Sequence, residues 1–339
     1  MNNPPKVTVF MPVYNGEKYL KEAIDSILAQ SFTDYEFLIV NDASNDNSVE
    51  IIKSYDDKRI SFIENETNSG PILTSNKCFD LAKGEYIVRM DQDDISLPRR
   101  IEKQVAFMDK NKQVGVCGSW VKFFGDRTYI AKYAKSHKEI VTNMFLSCPF
   151  AHPSVILRKS MFNDFNLRYS QLTGEEYELW VRASRHMRLA NIPEVLLKYR
   201  TSPNQMTKSH ESTYKANKII WKMQLENLRI DISDEELNLH YLLMSEKCFV
   251  GNSEIFIKDS TKWFDKIITA NNKYQFYDSK IFINLFRKKW YTAFKTITET
   301  NSNFNILDIV FKPKKIKYLS YKNKFRLLYR ILKKKARKY

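Results

Sequence analysis

Four short apolar runs, residues 7–11, 36–40, 60–63 and 86–88, are separated from one another by stretches of helical spacing, and this alternation constrains the fold more than any other feature. Between the first two, Tyr19, Leu20, Ala23, Ile24, Ile27 and Leu28 recur as one helical face within 17–29. The turn-rich stretch 41–48 leads into a second helix through Val49, Ile51, Ile52 and Tyr55. A loop at 65–70 feeds a third helix over 72–82, which Gly84 is expected to close before the last strand. A βαβαβαβ order of this kind predicts an α/β fold, a mostly parallel sheet with helices on both faces.

Such sheets bind ligands beyond the carboxyl ends of their strands. Three loops fall there: 12–16, 41–46 and 91–94. None is a phosphate-binding glycine loop, because Gly16 stands alone and neither a dinucleotide fingerprint nor a Walker sequence can be written. The loops carry carboxylates, a tyrosine and a proline instead. A carboxylate accepts from the N3–H of uracil, an aromatic ring stacks on a base, and a second carboxylate holds a cation against a diphosphate. Asp91, Asp93 and Asp94 follow the fourth strand directly, a crowding of negative charge that a divalent cation relieves. Taken alone, the same run also reads as a solvated acidic turn.

With 339 residues the chain has room for a catalytic domain and an appendage. Its formal net charge of +16 is unevenly placed: residues 312–339 hold ten Lys, three Arg and no acid. The body is therefore nearly neutral, which argues against a nucleic-acid binder. Cys78, Cys117, Cys148 and Cys248 lack zinc or disulfide spacing and suit a reducing compartment. The start of the chain has no apolar signal region, and no uncharged run reaches the about 18 residues of a membrane span. The expectation is a cytoplasmic protein.

The runs 7–16, 37–46 and 84–98 resemble glycosyltransferase family 2, whose members are inverting enzymes of the GT-A fold that use nucleotide sugars. The likeness continues through His152-Pro153-Ser154, Gly174-Glu175-Glu176-Tyr177 and Pro193 to Arg200, and covers about residues 6 to 210. The resemblance implies that Pro12, Tyr14 and Asp42 embrace the uracil, with Asp42 reading the base, and that Asn68 touches the nucleotide. It further implies that Asp91 faces the ribose and that Asp93 binds Mn²⁺ or Mg²⁺ at the diphosphate of a UDP-sugar. Glu176 stands where the family has its catalytic aspartate, at the start of a helix whose field favours an ionised carboxylate.

This chain departs from the family pattern at three places. Glu176 carries one methylene more than aspartate. Ser202 stands where many relatives have a histidine, with His210 a substitute or a bystander, and Ser75 stands where some have an arginine. Arg200 is read either as a neutralising group at the diphosphate or as one half of a structural ion pair. His152 reads equally as a site residue or as a buried hydrogen-bonded histidine.

Beyond about residue 215 the pattern is helical and carries no chemistry, with Ser233-Asp234-Glu235-Glu236 as a capping box. In the basic tail, Phe325, Leu328, Ile331 and Leu332 form an apolar stripe. Either it lies on an anionic cytoplasmic leaflet, at about 1 kcal/mol per basic residue, or it is a solvated appendage. The domains expected are a GT-A domain at 1–215, a helical region at 216–310 and a tail at 311–339. The resemblance implies transfer of GlcNAc, Gal, Glc or GalNAc from a UDP-sugar to a lipopolysaccharide, lipooligosaccharide or capsular glycan, lipid-linked, by a protein peripheral to the membrane. A pseudoenzyme or nucleotidyltransferase on the same fold is the alternative, and a basic nucleic-acid binder the remote one.

Overall fold

The computed structural model describes residues 4–170, 174–202, 210–245 and 253–300, together with Arg326. The chain forms two compact units, Met1–Ala216 and Asn217–Tyr339.

The first unit opens with β1 (Val7–Val13), α1 (Leu20–Leu28), β2 (Tyr35–Asn41), α2 (Ser48–Lys53), β3 (Ile60–Glu64), α3 (Pro71–Leu81) and β4 (Tyr86–Arg89). β1 lies between β2 and β4 and β3 flanks β2, all in parallel, as the alternation predicts. β1 is buried almost throughout because it is the central strand and both its faces are covered. Leu20, Ala23, Ile24 and Ile27 of α1 pack into this core, and full burial of each large aliphatic side chain contributes about 1.5–3 kcal/mol.

Gly84 plays a different part from the one expected. α3 ends at Leu81 with Ala82 as its cap, whereas a Cβ on Gly84 would stand 2.4 Å from the backbone nitrogen of Thr8. Close approach to β1, not helix termination, requires glycine here.

Past β4 the sheet becomes mixed. β5 (Ile95–Ser96), α4 (Arg100–Lys110), β6 (Val114–Gly125), β7 (Tyr129–Ala131), α5 (His137–Asn143), β8 (Ile156–Arg158), α6 (Lys159–Asp164), α7 (Glu175–Ala183) and β9 (Arg188–Thr201) complete the unit. The strand order is β3-β2-β1-β4-β8-β6-β9-β5, with β7 on β6. β8 runs antiparallel to both β4 and β6, while the long strands β6 and β9 pair in parallel with register shifts between Ser119 and Val121. β5 pairs antiparallel with β9, Ile95 opposite Lys198, which ties the loop after β4 to the far half of the sheet.

Helices α8 (His210–Glu226), α9 (Asp234–Ser245), α10 (Ser253–Tyr274) and α11 (Ser279–Thr300) follow. The capping box forms at α9: Glu236 N donates to Ser233 Oγ at 3.2 Å, and Ser233 N donates to Glu236 Oε2 at 3.3 Å. In the second unit, Trp221 and Trp263 each meet the ring of His240 edge-on, and Trp263 Nε1 donates to His240 Nδ1 at 3.1 Å. Burial pushes the His240 pKa down to about 3, so this imidazole is a neutral core group. Among the described residues no helix is long and apolar enough to cross a membrane. The stripe of Phe325, Leu328, Ile331 and Leu332 lies outside the described residues, as do Cys248 and most of the basic tail.

Candidate active site

The three loops converge at the carboxyl ends of β1, β2 and β4, and side-chain oxygens knit them together. Tyr14 N donates to Gln92 Oε1 at 2.8 Å and Gln92 Nε2 returns a bond to Tyr14 O at 3.0 Å, joining the first loop to the acidic one. Asn15 N donates to Ser44 Oγ, Gly16 N to Ser48 Oγ and Glu17 N to Asp46 Oδ2, joining the first loop to the second. A Cβ on Gly16 would stand 2.7 Å from Gln92 Oε1, so the lone glycine of this loop makes room for that amide. Pro12 is half-buried at the end of β1, and Tyr14 is 44% exposed, its ring open to a planar partner.

Asp42 is only 3% exposed. Its Oδ1 accepts from Asn65 Nδ2 at 2.7 Å and Ser69 N at 2.9 Å, and its Oδ2 accepts from Gly70 N at 2.8 Å. Burial works against the charged form, but the donors from Ser69, Asn65, Thr74 and Gly70 outweigh it and hold the carboxyl below its ordinary value. Asp42 therefore shapes the loop that carries Asn68. Asn68 is exposed, and its Oδ1 shares the N–H of Gly70 at 3.0 Å. Asn65, which sequence patterns do not single out, braces Asp42 and is itself held by Lys77.

The acidic run divides into three environments. Asp91 forms a 2.7 Å ion pair with Arg89, whose guanidinium is buried, donates to Ser75 Oγ at 3.1 Å and lies over the ring of Phe10. A cation inside an apolar strand must be paired, and Asp91 is the partner. Ser75, the position where some relatives have arginine, accepts here from an arginine arriving from β4. Asp93 is half-buried, and its backbone carbonyl accepts from Arg200 Nε at 2.7 Å. Asp94 is buried and accepts the N–H of Arg200 at 2.8 Å; burial, with the charges of Asp91 and Asp93, pushes its carboxyl well above the usual range.

Arg200 bridges β9, the acidic loop and α1. Its guanidinium pairs with Glu22 at 2.8 Å and lies over the rings of Tyr19 and Phe124 while its Nε holds the Asp93 carbonyl. The end of β9 thereby fixes both Asp93 and Asp94. Ser202 follows directly after this strand, and the side chain of His210 lies outside the described part of the chain.

Glu176 is in the first turn of α7, beside Glu175 and Glu178. Glu178 is spent on Arg182 and Ser170. Glu176 Oε2 lies 3.1 Å from His152 Nδ1, and the Glu176 side chain is 37% exposed. Burial raises the pKa of the Tyr199 phenol first, and the charges of Asp91, Asp94, Glu176 and Asp93 add to it.

Among the described residues no three His, Cys, Asp or Glu side chains gather around one point as a closed metal cage. Carboxylates directly after β4 suit a hard cation such as Mg²⁺ or Mn²⁺ held by one carboxylate and the phosphates of a substrate, the open arrangement such cations favour. Of the three acids in this run, Asp91 is paired with Arg89, Asp94 is buried and Asp93 is half-buried.

A family model described as Glycosyl transferase family 2 matches residues 8–165. An uncharacterized glycosyltransferase of Methanocaldococcus jannaschii is 39% identical over 210 residues, which span 59% of this chain and 72% of the relative. The chain belongs to glycosyl transferase family 2. This glycosyltransferase is also 26% identical over 203 residues to the UDP-Glc:alpha-D-GlcNAc-diphosphoundecaprenol beta-1,3-glucosyltransferase WfgD of Escherichia coli, with 59% of this chain and 79% of WfgD covered. Among solved structures, S. aureus TarS 1-349 in complex with UDP-GlcNAc superposes with a TM-score of 0.60 at 19% identity, covering 89% of this chain and 95% of that one. The enzyme has the expected GT-A fold, followed by a helical C-terminal region.

Proposed function

We propose that this glycosyltransferase is an inverting, metal-dependent enzyme that moves a hexosyl or N-acetylhexosaminyl unit from a UDP-sugar to a lipid-linked surface glycan. The observation that carries the reading is the bonded path from the donor side to the acidic start of α7: Asn76, on the helix after the Asn68 loop, holds Tyr169, which bonds to His152, whose other nitrogen lies 3.1 Å from Glu176. An inverting displacement needs two groups: one to steady the departing diphosphate, and a base on the opposite side of the sugar.

In this reading Pro12 and Tyr14 frame the uracil, with Asp42 and Asn68 completing its pocket from the second loop and the one after β3. Asp91 faces the ribose, aligned by Arg89. Asp93 holds the cation, and Arg200 keeps Asp93 in register through its carbonyl. The bound cation supplies charge stabilisation to the leaving UDP. Glu176 takes the proton of the acceptor hydroxyl as its oxygen bonds to the anomeric carbon and the bond from that carbon to the UDP oxygen breaks. WfgD, which by its name takes UDP-Glc and a diphosphoundecaprenol-linked acceptor, supports both the UDP donor and a lipid-linked acceptor.

The test is UDP release from UDP-Glc, UDP-Gal, UDP-GlcNAc and UDP-GalNAc with Mn²⁺ present, water serving as acceptor. Turnover of at least one donor that ceases when the cation is chelated is expected. UDP binding without turnover of any donor, on addition of glycan acceptors as well, would mark a pseudoenzyme.

The tail belongs to the same proposal. An enzyme acting on a lipid-anchored acceptor gains effective concentration by sitting on the same leaflet. Thirteen basic residues without an acid in 312–339 provide the attraction. The full-length protein should sediment with anionic vesicles and not neutral ones, and release steeply as salt shortens the Debye length below about 8 Å. Equal binding to both kinds of vesicle, or salt-insensitive binding, would show the tail to be a solvated appendage.

A further inference from the structure

Behind Glu176 lies a chain of side chains from three separate segments. His152 sits in a 3₁₀ turn, His152–Ser154, just before β8, and its side chain is 14% exposed. Its Nδ1 is 3.1 Å from Glu176 Oε2 and its Nε2 is 2.9 Å from Tyr169 Oη. Its ring meets Tyr169 and Trp180 edge-on, at 5.4 and 6.2 Å between centroids, so the imidazole is packed between two rings as well as bonded at both nitrogens. Trp180 is fully buried on the same helix as Glu176.

Tyr169 is itself fixed from the donor side. Its N–H donates to Asn76 Oδ1 at 2.9 Å, and Asn76 Nδ2 donates to its carbonyl at 2.9 Å. Asn76 is on α3, the helix that starts directly after the Asn68 loop. Burial raises the phenol's pKa, and so Tyr169 is a neutral O–H.

The chemistry of the two partners decides the tautomer. An ionised carboxylate only accepts, so Nδ1 must carry the proton it shares with Glu176; a neutral ring then has a bare Nε2, which accepts from the phenol. We propose that His152 and Tyr169 are positioning residues for the base: Tyr169 O–H selects the Nδ1–H tautomer of His152, and His152 holds the Glu176 carboxylate in its working orientation. This rests on Glu176 being the base. It also accounts for the longer side chain at this position. Glutamate has one more rotatable bond than aspartate, and a bond from His152 removes the freedom that the extra methylene adds.

The test measures UDP release from the best donor of the panel for His152→Ala, His152→Asn, Tyr169→Phe, the double variant His152→Asn with Tyr169→Phe, and Glu176→Gln. Binding of UDP is followed in each variant as a check on the fold. His152→Ala should lower kcat by about 10- to 100-fold, the usual cost of removing a group that orients an active one, while KM for the donor stays within about twofold. His152→Asn places an amide N–H where Nδ1–H stood and should recover most of that loss. Tyr169→Phe should slow the native enzyme but not the His152→Asn variant, because asparagine has no tautomer for the phenol to select.

A normal kcat in His152→Ala, with Glu176→Gln inactive, would overturn the positioning roles and leave the base intact. Failure of His152→Asn to recover any of the loss, or a KM that rises in step with the fall in kcat, would also overturn them. Near-normal turnover in Glu176→Gln would remove the base assignment, and this inference with it.

Discussion

Glu176→Gln is expected to bind UDP and UDP-sugars as the native enzyme does and to lose turnover by about 10²- to 10⁴-fold, the range a positioned general base contributes. That loss corresponds to about 3 to 5 kcal/mol of transition-state stabilisation. The amide keeps nearly the size of the carboxylate and accepts through its oxygen, so His152 Nδ1–H retains a partner and the start of α7 is preserved. What disappears is the capacity to take a proton. Steady-state kinetics with the best donor would show the change in kcat alone, and near-normal turnover would remove Glu176 from the reaction.

Asp93→Asn is expected to abolish transfer and, with it, the gain in UDP affinity that Mn²⁺ provides, without unfolding the protein. The 2.7 Å bond from Arg200 Nε reaches the backbone carbonyl of Asp93, which the substitution leaves alone. A neutral amide is a poor ligand for a hard cation beside a diphosphate. Thermal shift with UDP, with and without Mn²⁺, separates the two effects, because a ligand that binds only the folded state raises stability as its concentration exceeds Kd. If the Mn²⁺-linked shift survives in Asp93→Asn, the ligand lies elsewhere in the acidic run.

The first half of the sheet is legible in the chain because its strands are short, largely apolar runs bounded by turn residues; β1, β2 and β4 are buried almost throughout, and the edge strand β3 is half-buried. The later strands are not legible. β6 and β9 pair along most of their length although they lie far apart in sequence, and β9 contains Pro193 and opposes a stretch with register shifts, so no local period announces it. The same limit applies to polar contacts. Arg89 stands out as a cation between Val88 and Met90, which signals a buried ion pair, but the identity of its partner waits on the turn that brings Asp91 back over it. Gly84 looked like a helix stop and is a point of contact between two strands.

Sequence alone determined the chemistry this chain has available: the order of strands and loops, the carboxylates at their ends, the acidic start of α7 and the concentration of charge in the tail. These are local properties, set by neighbouring residues and their periodicity. Tertiary structure decided what surrounds each carboxylate. Asp42 is buried among donors from the following loop, Asp94 is buried against the N–H of Arg200, and Arg200 pairs with Glu22. His152, Tyr169 and Glu176 come together only because the sheet and α7 bring three segments to one place. The reason is physical: a carboxylate's basicity and orientation depend on the donors, charges and burial around it, and those are contributed by residues distant in the chain.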